Sequence, residues 1–91
     1  EDRAKKIPAS AIKSTVGHMF GADGAFGIQC CIESIRRGVI PPTINYETLD
    51  PECDLDCVPN YARRHRVNTA LKTSFAFGGQ NSVIIVKRFV N

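Results

Sequence analysis

Several signals that identify common protein classes are missing from this sequence. Neither phosphate-binding loop pattern, G-x-G-x-x-G or G-x-x-x-x-G-K-S/T, occurs in it. No apolar stretch reaches the roughly 20 residues that a membrane-spanning helix requires, so no membrane span is expected. A secretory signal pattern is also missing, and the chain has four cysteines. We therefore expect a reducing compartment, the cytoplasm, rather than a disulfide-stapled secreted module.

The composition is that of a globular chain. Of its 91 residues, 43% are hydrophobic and 23% are charged, which excludes a disordered or collagen-like polypeptide. The net charge of +3 is too small to indicate nucleic-acid binding. No acidic residue follows Asp56, whereas six lysines and arginines do. That asymmetry fits either solvated basic strand ends or a basic face for an acidic partner.

Two segments are too apolar for the surface of a small domain. Residues 19–35 are predicted to form a helix whose only charges are Asp23 and Glu33, and a helix that is apolar all round must be buried all round. In residues 82–90, four consecutive aliphatic residues predict a strand covered on both faces. Because 91 residues cannot easily enclose both elements, we infer a C-terminal piece of a larger layered α/β protein. A free-standing domain covered by an obligate partner is the alternative.

The remaining pattern predicts local structure. A short strand is expected at residues 7–10 and a loop at residues 11–17, and Gly38 is expected to end the long helix. Residues 41–66 contain four prolines without a clear period and predict an irregular connection. Residues 67–75 and 82–90 are expected to form a hairpin closed by a turn at residues 78–81.

Three glycines in the predicted helix are spaced by three residues. Gly21, Gly24 and Gly27 would form one bare stripe, at a cost of about 1 kcal/mol each relative to alanine. Since the phosphate-loop patterns do not occur, we interpret the stripe as a surface for close approach of another backbone.

Two short motifs are candidates for chemistry. His18 lies between Gly17 and the helix, five residues after Lys13; it is either a structural histidine or a hydrogen-bond donor to a developing oxyanion. Phe77, Gly78 and Gly79 form either an ordinary turn or a mobile gate whose backbone N–H groups face a pocket.

The cysteines do not form a recognisable metal or catalytic motif. Cys53 and Cys57 are followed by His65, but this set lacks a fourth zinc ligand and a standard spacing. Cys30 and Cys31 are interpreted as small core residues and not as nucleophiles. We therefore expect neither a metal nor a cofactor.

Taken together, several segments resemble one family. These are residues 13–25 (KSTVGHMFGADGA), 40–45 (IPPTIN), 50–60 (DPECDLDCVPN) and 74–81 (SFAFGGQN). In this order they resemble the C-terminal part of the β-ketoacyl-acyl-carrier-protein synthases, particularly synthase II and the ketosynthases of type II polyketide assembly. The resemblance covers nearly all of residues 7–91, so residues 1–91 are expected to be the C-terminal segment of such an enzyme, without its nucleophilic cysteine.

The resemblance implies a fold and a reaction. The fold is α/β, a thiolase-like arrangement of five layers, αβαβα, with the glycine-rich helix between two sheets. The reaction is decarboxylative Claisen condensation of an acyl thioester with malonyl-carrier protein in fatty acid or polyketide biosynthesis. The implied partners are acyl carrier protein, the rest of the ketosynthase polypeptide, and a second subunit in a homodimer or a ketosynthase/chain-length-factor heterodimer.

The resemblance also implies residue roles. His18 matches the histidine that holds the malonyl thioester oxygen, and Lys13 matches the lysine that organises the electrostatics around it. Phe77 matches the gating phenylalanine, whose N–H contributes to the oxyanion hole. Gly78, Gly79 and Asn81 belong to the same gating or substrate-binding turn.

Two positions depart from the family pattern. Gly27 replaces a glutamate that pairs with the lysine, and Asp23, four residues earlier on the same helical face, is a possible substitute. Gln80 replaces a threonine, which leaves room for a specialised polyketide or polyene synthase. The alternative is a non-catalytic chain-length-factor subunit, but such subunits typically lose the lysine and histidine retained here as Lys13 and His18.

Overall fold

The computed structural model describes residues 3–90 as two compact units. The loop unit comprises residues 3–18 and Ile40–Arg64, and the helix–hairpin unit comprises Met19–Val39 and residues 65–90. The helices and strands are α1 (Lys13–Val16), α2 (Asp23–Arg37), β1 (Val39–Ile40), β2 (Arg63–Arg64), β3 (Thr69–Ala76) and β4 (Gln80–Lys87). Single 3-10 turns occupy Ala4–Lys6, Phe20–Ala22 and Pro51–Cys53. No helix in this part of the chain is long and apolar enough to span a membrane.

The predicted long helix is confirmed, with shifted ends. A 3-10 turn precedes α2, which begins at Asp23 and continues to Arg37. Asp23 in its first turn and Arg36 and Arg37 in its last turn complement the helix dipole. Gly38 ends the helix as predicted: its backbone is left-handed (φ 64°, ψ 38°), and its N–H donates to the Ser34 carbonyl at 2.9 Å.

The predicted hairpin is also confirmed, but its turn comes earlier. Strands β3 and β4 pair antiparallel from Thr69 with Lys87 to Ala76 with Gln80, so Gln80 and Asn81 belong to β4 and not to the turn. The turn is Phe77–Gly78–Gly79. Both glycines have positive φ, 85° and 79°, a conformation that glycine adopts without steric penalty and that reverses the chain within three residues.

The hairpin has two different faces. Ala70, Lys72 and Ser74 of β3 are half-buried and alternate with exposed residues, as expected of a strand covered on one side. The opposite face, called here the open face, carries four apolar side chains that are 55–74% exposed: Leu71, Phe75, Val83 and Ile85. The sequence predicts a strand covered on both faces, but within residues 3–90 only one face of the hairpin is covered.

Helix α2 is likewise only partly covered by its own chain. Gly27, Ser34 and Ile35 are its buried residues, and most of the others are half-buried. At its C-terminal end, the Arg88 guanidinium donates to the carbonyl of Ile35 and, at 3.4 Å, to that of Val67. A cation on the last carbonyls of a helix is favourable, and here it attaches the end of the hairpin to the end of α2.

The glycine stripe was predicted to allow close approach of another backbone, and this prediction is wrong at Gly27. No heavy atom lies within 4 Å of a Cβ built on Gly21 or Gly24, whereas a Cβ on Gly27 would overlap the side chain of Lys72. The close neighbour is therefore a lysine side chain and not a second backbone.

The loop unit is held by hydrogen bonds between irregular segments. Thr43 N–H donates to the Val58 carbonyl at 2.9 Å, and Asn60 N–H donates to the Thr43 carbonyl at 2.8 Å. Ala9 N–H donates to the Asp56 carbonyl at 2.8 Å, so the segment predicted as a strand at residues 7–10 is tied down without forming one. Val58, at the centre, is 0% exposed.

The backbone at Val58 is unusual for its side chain. Its φ of 49° is left-handed, which costs a β-branched residue about 1–2 kcal/mol. Its N–H donates to Asp56 Oδ1 at 3.1 Å, and the same carboxylate accepts two hydrogen bonds from Arg63. The full burial of Val58 and these bonds offset the local strain.

The exposed apolar side chains predict the behaviour of the isolated 91-residue chain. Because the open face is apolar and uncovered, we expect self-association and a broad, concentration-dependent urea transition. Circular dichroism during urea unfolding, together with sedimentation velocity, measures both properties. A cooperative unfolding transition of a monomer would contradict the inference that this surface is built to be covered.

Candidate active site

Lys13 and His18 lie at the two ends of one short segment of the loop unit, residues 13–18. The segment predicted as a loop contains a single helical turn, α1, which begins at Lys13. Gly17 N–H donates to the Lys13 carbonyl at 2.8 Å and ends the turn. With φ 76° and ψ −176°, Gly17 adopts a backbone conformation that favours glycine, and it redirects the chain so that His18 leaves the helical turn. Both side chains are exposed in this chain.

Ser14 fastens this turn to the segment after α2. Its hydroxyl donates to the Ala11 carbonyl at 2.8 Å and accepts from Ile44 N–H at 2.9 Å. Ala11 N–H in turn donates to Thr43 Oγ1 at 3.0 Å. Two side-chain hydroxyls thus hold the segment between Lys13 and His18 in a fixed path.

The sequence interpretation missed Ser14 and Thr43. A serine at the start of a helical turn indicates a local hydrogen bond to the backbone, and this signal was available. The long-range partners, 30 and 32 residues away, have no signature in the local pattern.

The remaining predicted residues lie in the helix–hairpin unit. Asp23 is the first residue of α2 and is half-buried, where the positive end of the helix dipole stabilises its carboxylate. Phe77 stands at the tip of the hairpin with its side chain fully exposed. Gly78 and Gly79 complete the turn, whereas Asn81 pairs with Phe75 in the strands.

The thiols of α2 have the electrostatics of interior residues. Burial raises the pKa of the Cys30 and Cys31 thiols, although the charge of Lys72 acts in the opposite direction on Cys31. A nucleophilic cysteine needs a lowered pKa. Within residues 3–90, no group of three or more His, Cys, Asp or Glu side chains is arranged to hold a metal ion.

These positions offer three chemical functions. An exposed imidazole follows a glycine bend, a lysine precedes it by one helical turn, and a two-glycine turn presents backbone N–H groups beside an aromatic ring. Imidazole and backbone N–H donors are the groups that stabilise developing oxyanions.

Comparisons with known proteins identify relatives with these segments. The family model described as the C-terminal domain of β-ketoacyl synthase matches residues 1–47. The chain is 51% identical over 86 residues to the tetracenomycin polyketide synthase ketoacyl synthase alpha subunit of Streptomyces glaucescens, covering 94% of this chain and 20% of that protein. It is 45% identical over 87 residues to a 3-oxoacyl-(acyl-carrier-protein) synthase 2 of Coxiella burnetii, covering 96% of this chain and 21% of that protein.

A solved structure shows the same fold. It is that of a type II polyketide synthase acyl-carrier protein in complex with its ketosynthase bound to the hexaketide. The TM-score is 0.88 at 39% identity, over 92% of this chain and 21% of that chain. The expected α/β, thiolase-like fold of a ketosynthase is therefore confirmed. The chain spans about a fifth of the length of these relatives.

The Ser14 contacts generate a prediction for the full-length protein. Ser14→Ala removes one donated and one accepted hydrogen bond, so we expect the free energy of unfolding to fall by about 2 kcal/mol. Thr15→Ala, on the exposed side of the same turn, is the matched control and should change it by less than about 0.5 kcal/mol. Urea unfolding measures both variants, and equal effects would contradict the anchoring role of Ser14.

Proposed function

The chain belongs to the β-ketoacyl synthase family, and on this premise we propose that it is the C-terminal segment of a condensing enzyme. The proposed reaction is decarboxylative Claisen condensation of an enzyme-bound acyl group with malonyl-acyl-carrier protein. The observation that carries the proposal is the geometry of residues 13–18. The Lys13–Gly17 hydrogen bond closes the α1 turn, and the bend at Gly17 places His18 directly after it.

His18 is proposed to stabilise the enolate of the malonyl thioester. When malonyl-carrier protein loses CO₂, negative charge develops on the thioester oxygen. The resulting carbanion attacks the acyl thioester carbonyl, forming a C–C bond as the C–S bond to the enzyme's cysteine breaks and the thiolate leaves. An imidazole N–H directed at that oxygen binds the transition state more strongly than the ground state, which lowers the barrier. Lys13, one helical turn earlier, supplies positive charge to the same region.

Phe77 is proposed to serve the acyl half of the reaction. Its backbone N–H would stabilise the oxyanion formed at the acyl thioester, and its ring would gate access to the acyl group. The positive φ values of Gly78 and Gly79 support this role, because a two-glycine turn can change conformation at little cost.

The acyl-bearing nucleophile is proposed to be a cysteine outside these residues. The raised pKa of Cys30 and Cys31 makes neither thiol suited to attack a thioester at neutral pH. The isolated 91 residues are therefore expected to show no turnover.

Asp23 is proposed to supply the carboxylate that Gly27 lacks. It lies one turn before Gly27 on α2, and it is half-buried at the positive end of the helix. Its role toward Lys13 rests on the family pattern, in which a glutamate at the Gly27 position pairs with this lysine.

The relatives support a partner and a location. The relatives include a ketoacyl synthase alpha subunit and a ketosynthase in complex with acyl-carrier protein. We therefore propose acyl carrier protein as the substrate carrier and an assembly of two ketosynthase-type subunits. Lys13 and His18 favour the catalytic subunit over the chain-length factor. All four cysteines are free, which supports a cytoplasmic location.

The role of His18 is tested with the full-length enzyme. In His18→Ala, we expect malonyl decarboxylation to slow by about 10²–10³-fold, the typical effect of losing one oxyanion donor, while acylation of the cysteine largely survives. Mass spectrometry of the acyl-enzyme and of the released product separates the two half-reactions. His65→Ala, at the other histidine of these 91 residues, is the control. Equal loss of both half-reactions would contradict the assignment.

The role of Asp23 gives a second test. Asp23→Ala should reduce the condensation rate at least about ten-fold if its carboxylate supports the charged lysine. Asp23→Glu should restore part of this rate because it returns a carboxylate to the same face. Unchanged condensation in Asp23→Ala would reject the substitution hypothesis without affecting the role of His18.

A further inference from the structure

Gly27 of α2 and Lys72 of β3 form a matched pair. The methylene chain of Lys72 lies directly over Gly27, so that a Cβ at position 27 would overlap its Cε and Cδ atoms and would lie 3.3 Å from its Cγ atom. Gly27 is buried and Lys72 is half-buried. The absence of a side chain at position 27 thus creates the surface on which the lysine lies.

The ammonium group of Lys72 is fixed by two uncharged acceptors. Its Nζ donates to the Thr73 carbonyl at 2.6 Å and to Ser74 Oγ at 3.1 Å. Lysine side chains on surfaces usually extend into solvent, whereas this one is folded back onto its own strand. It links the body of α2 to the part of β3 that leads into the Phe77 turn.

We propose that Lys72 is a positioning residue for the Phe77–Gly79 turn. Its stem grips α2 at Gly27, and its ammonium group holds Thr73 and Ser74, which lie three to four residues before Phe77. These Lys72 contacts, called here the clamp, therefore hold the strand immediately before the turn. Beyond this clamp the strand ends in a turn with two left-handed glycines.

This inference rests on the proposed function, because it assigns Lys72 to the half-reaction in which the cysteine is acylated. If the N–H of Phe77 stabilises the acyl oxyanion, loosening the strand that carries it should slow cysteine acylation. Malonyl decarboxylation, assigned to His18, should change little. A residue with only a general structural role would lower both half-reactions together.

The activity test uses the full-length enzyme and four variants. Lys72→Met keeps the stem and removes both hydrogen bonds, so acylation should slow about ten-fold or more, with decarboxylation within about two-fold of wild type. Gly27→Ala should slow acylation to a similar extent and leave decarboxylation nearly unchanged, because the added methyl group displaces the Lys72 stem. Gly27→Ala/Lys72→Ala should then be no slower in acylation than Lys72→Ala alone, since both changes break one contact.

A second measurement tests the clamp independently of catalysis. Hydrogen exchange followed by mass spectrometry should show about five-fold faster exchange or more in the peptide covering residues 73–79 of Lys72→Met, the factor for one net hydrogen bond. The peptide covering residues 28–36 of α2 should be unchanged. Lys6→Met, at an exposed position of the loop unit, is the matched control and should leave both peptides and both half-reactions unchanged.

The outcomes separate the two proposals. Multiplicative effects of the Gly27 and Lys72 changes, equal loss of both half-reactions, or unchanged exchange at residues 73–79 would overturn the positioning role. A wild-type enzyme that performs neither half-reaction would reject the proposed function, and the exchange experiment would still decide whether Lys72 holds the turn.

Discussion

Helix α2 covers one face of the β3–β4 hairpin and leaves the other face apolar and exposed, and the rest of the structure depends on this one-sided packing. The contact is made at two places: Lys72 lies over Gly27, and Arg88 reaches the Ile35 carbonyl at the end of the helix. The second contact satisfies a terminal helix carbonyl as well as joining the elements. An apolar hairpin face that its own chain leaves exposed requires a further layer on that side, which agrees with the layered fold of the ketosynthases.

The proposed chemistry is placed at the ends of these elements. Gly17 bends the chain between α1 and His18, and Gly78 and Gly79 reverse it after Phe77. Each bend presents a hydrogen-bond donor on a loop supported by fixed structure, the arrangement that catalytic loops commonly use. The supports are polar: the Ser14 hydroxyl holds one loop, and the Lys72 ammonium group holds the strand before the other. Three of the four hydrogen bonds in these supports join a side chain to the backbone, and the fourth joins the Lys72 ammonium group to Ser74 Oγ.

The sequence predicted the features that depend on local rules and missed those that depend on distant partners. The stop at Gly38 and the hairpin followed from glycine conformations and β-propensity. The predicted turn, residues 78–81, began one residue and ended two residues after the observed one, because a glutamine and an asparagine look like turn residues although they pair in β4. The partner of Gly27 could not be predicted, because a small residue signals a close neighbour without identifying it. The positive φ of Val58 runs against its own propensity and follows from its complete burial.

We infer that the open face of the hairpin is an interior surface in the full-length protein. Its most direct measurement is maleimide labelling of single cysteines placed at Leu71 and Ile85, which are 56% and 65% exposed in this chain, with labelled peptides quantified by mass spectrometry. We expect labelling at least about 100-fold slower in the native full-length protein than in the same variants unfolded in urea, because reaction requires local opening of a covered surface. Equal labelling rates in the native and unfolded states would contradict it.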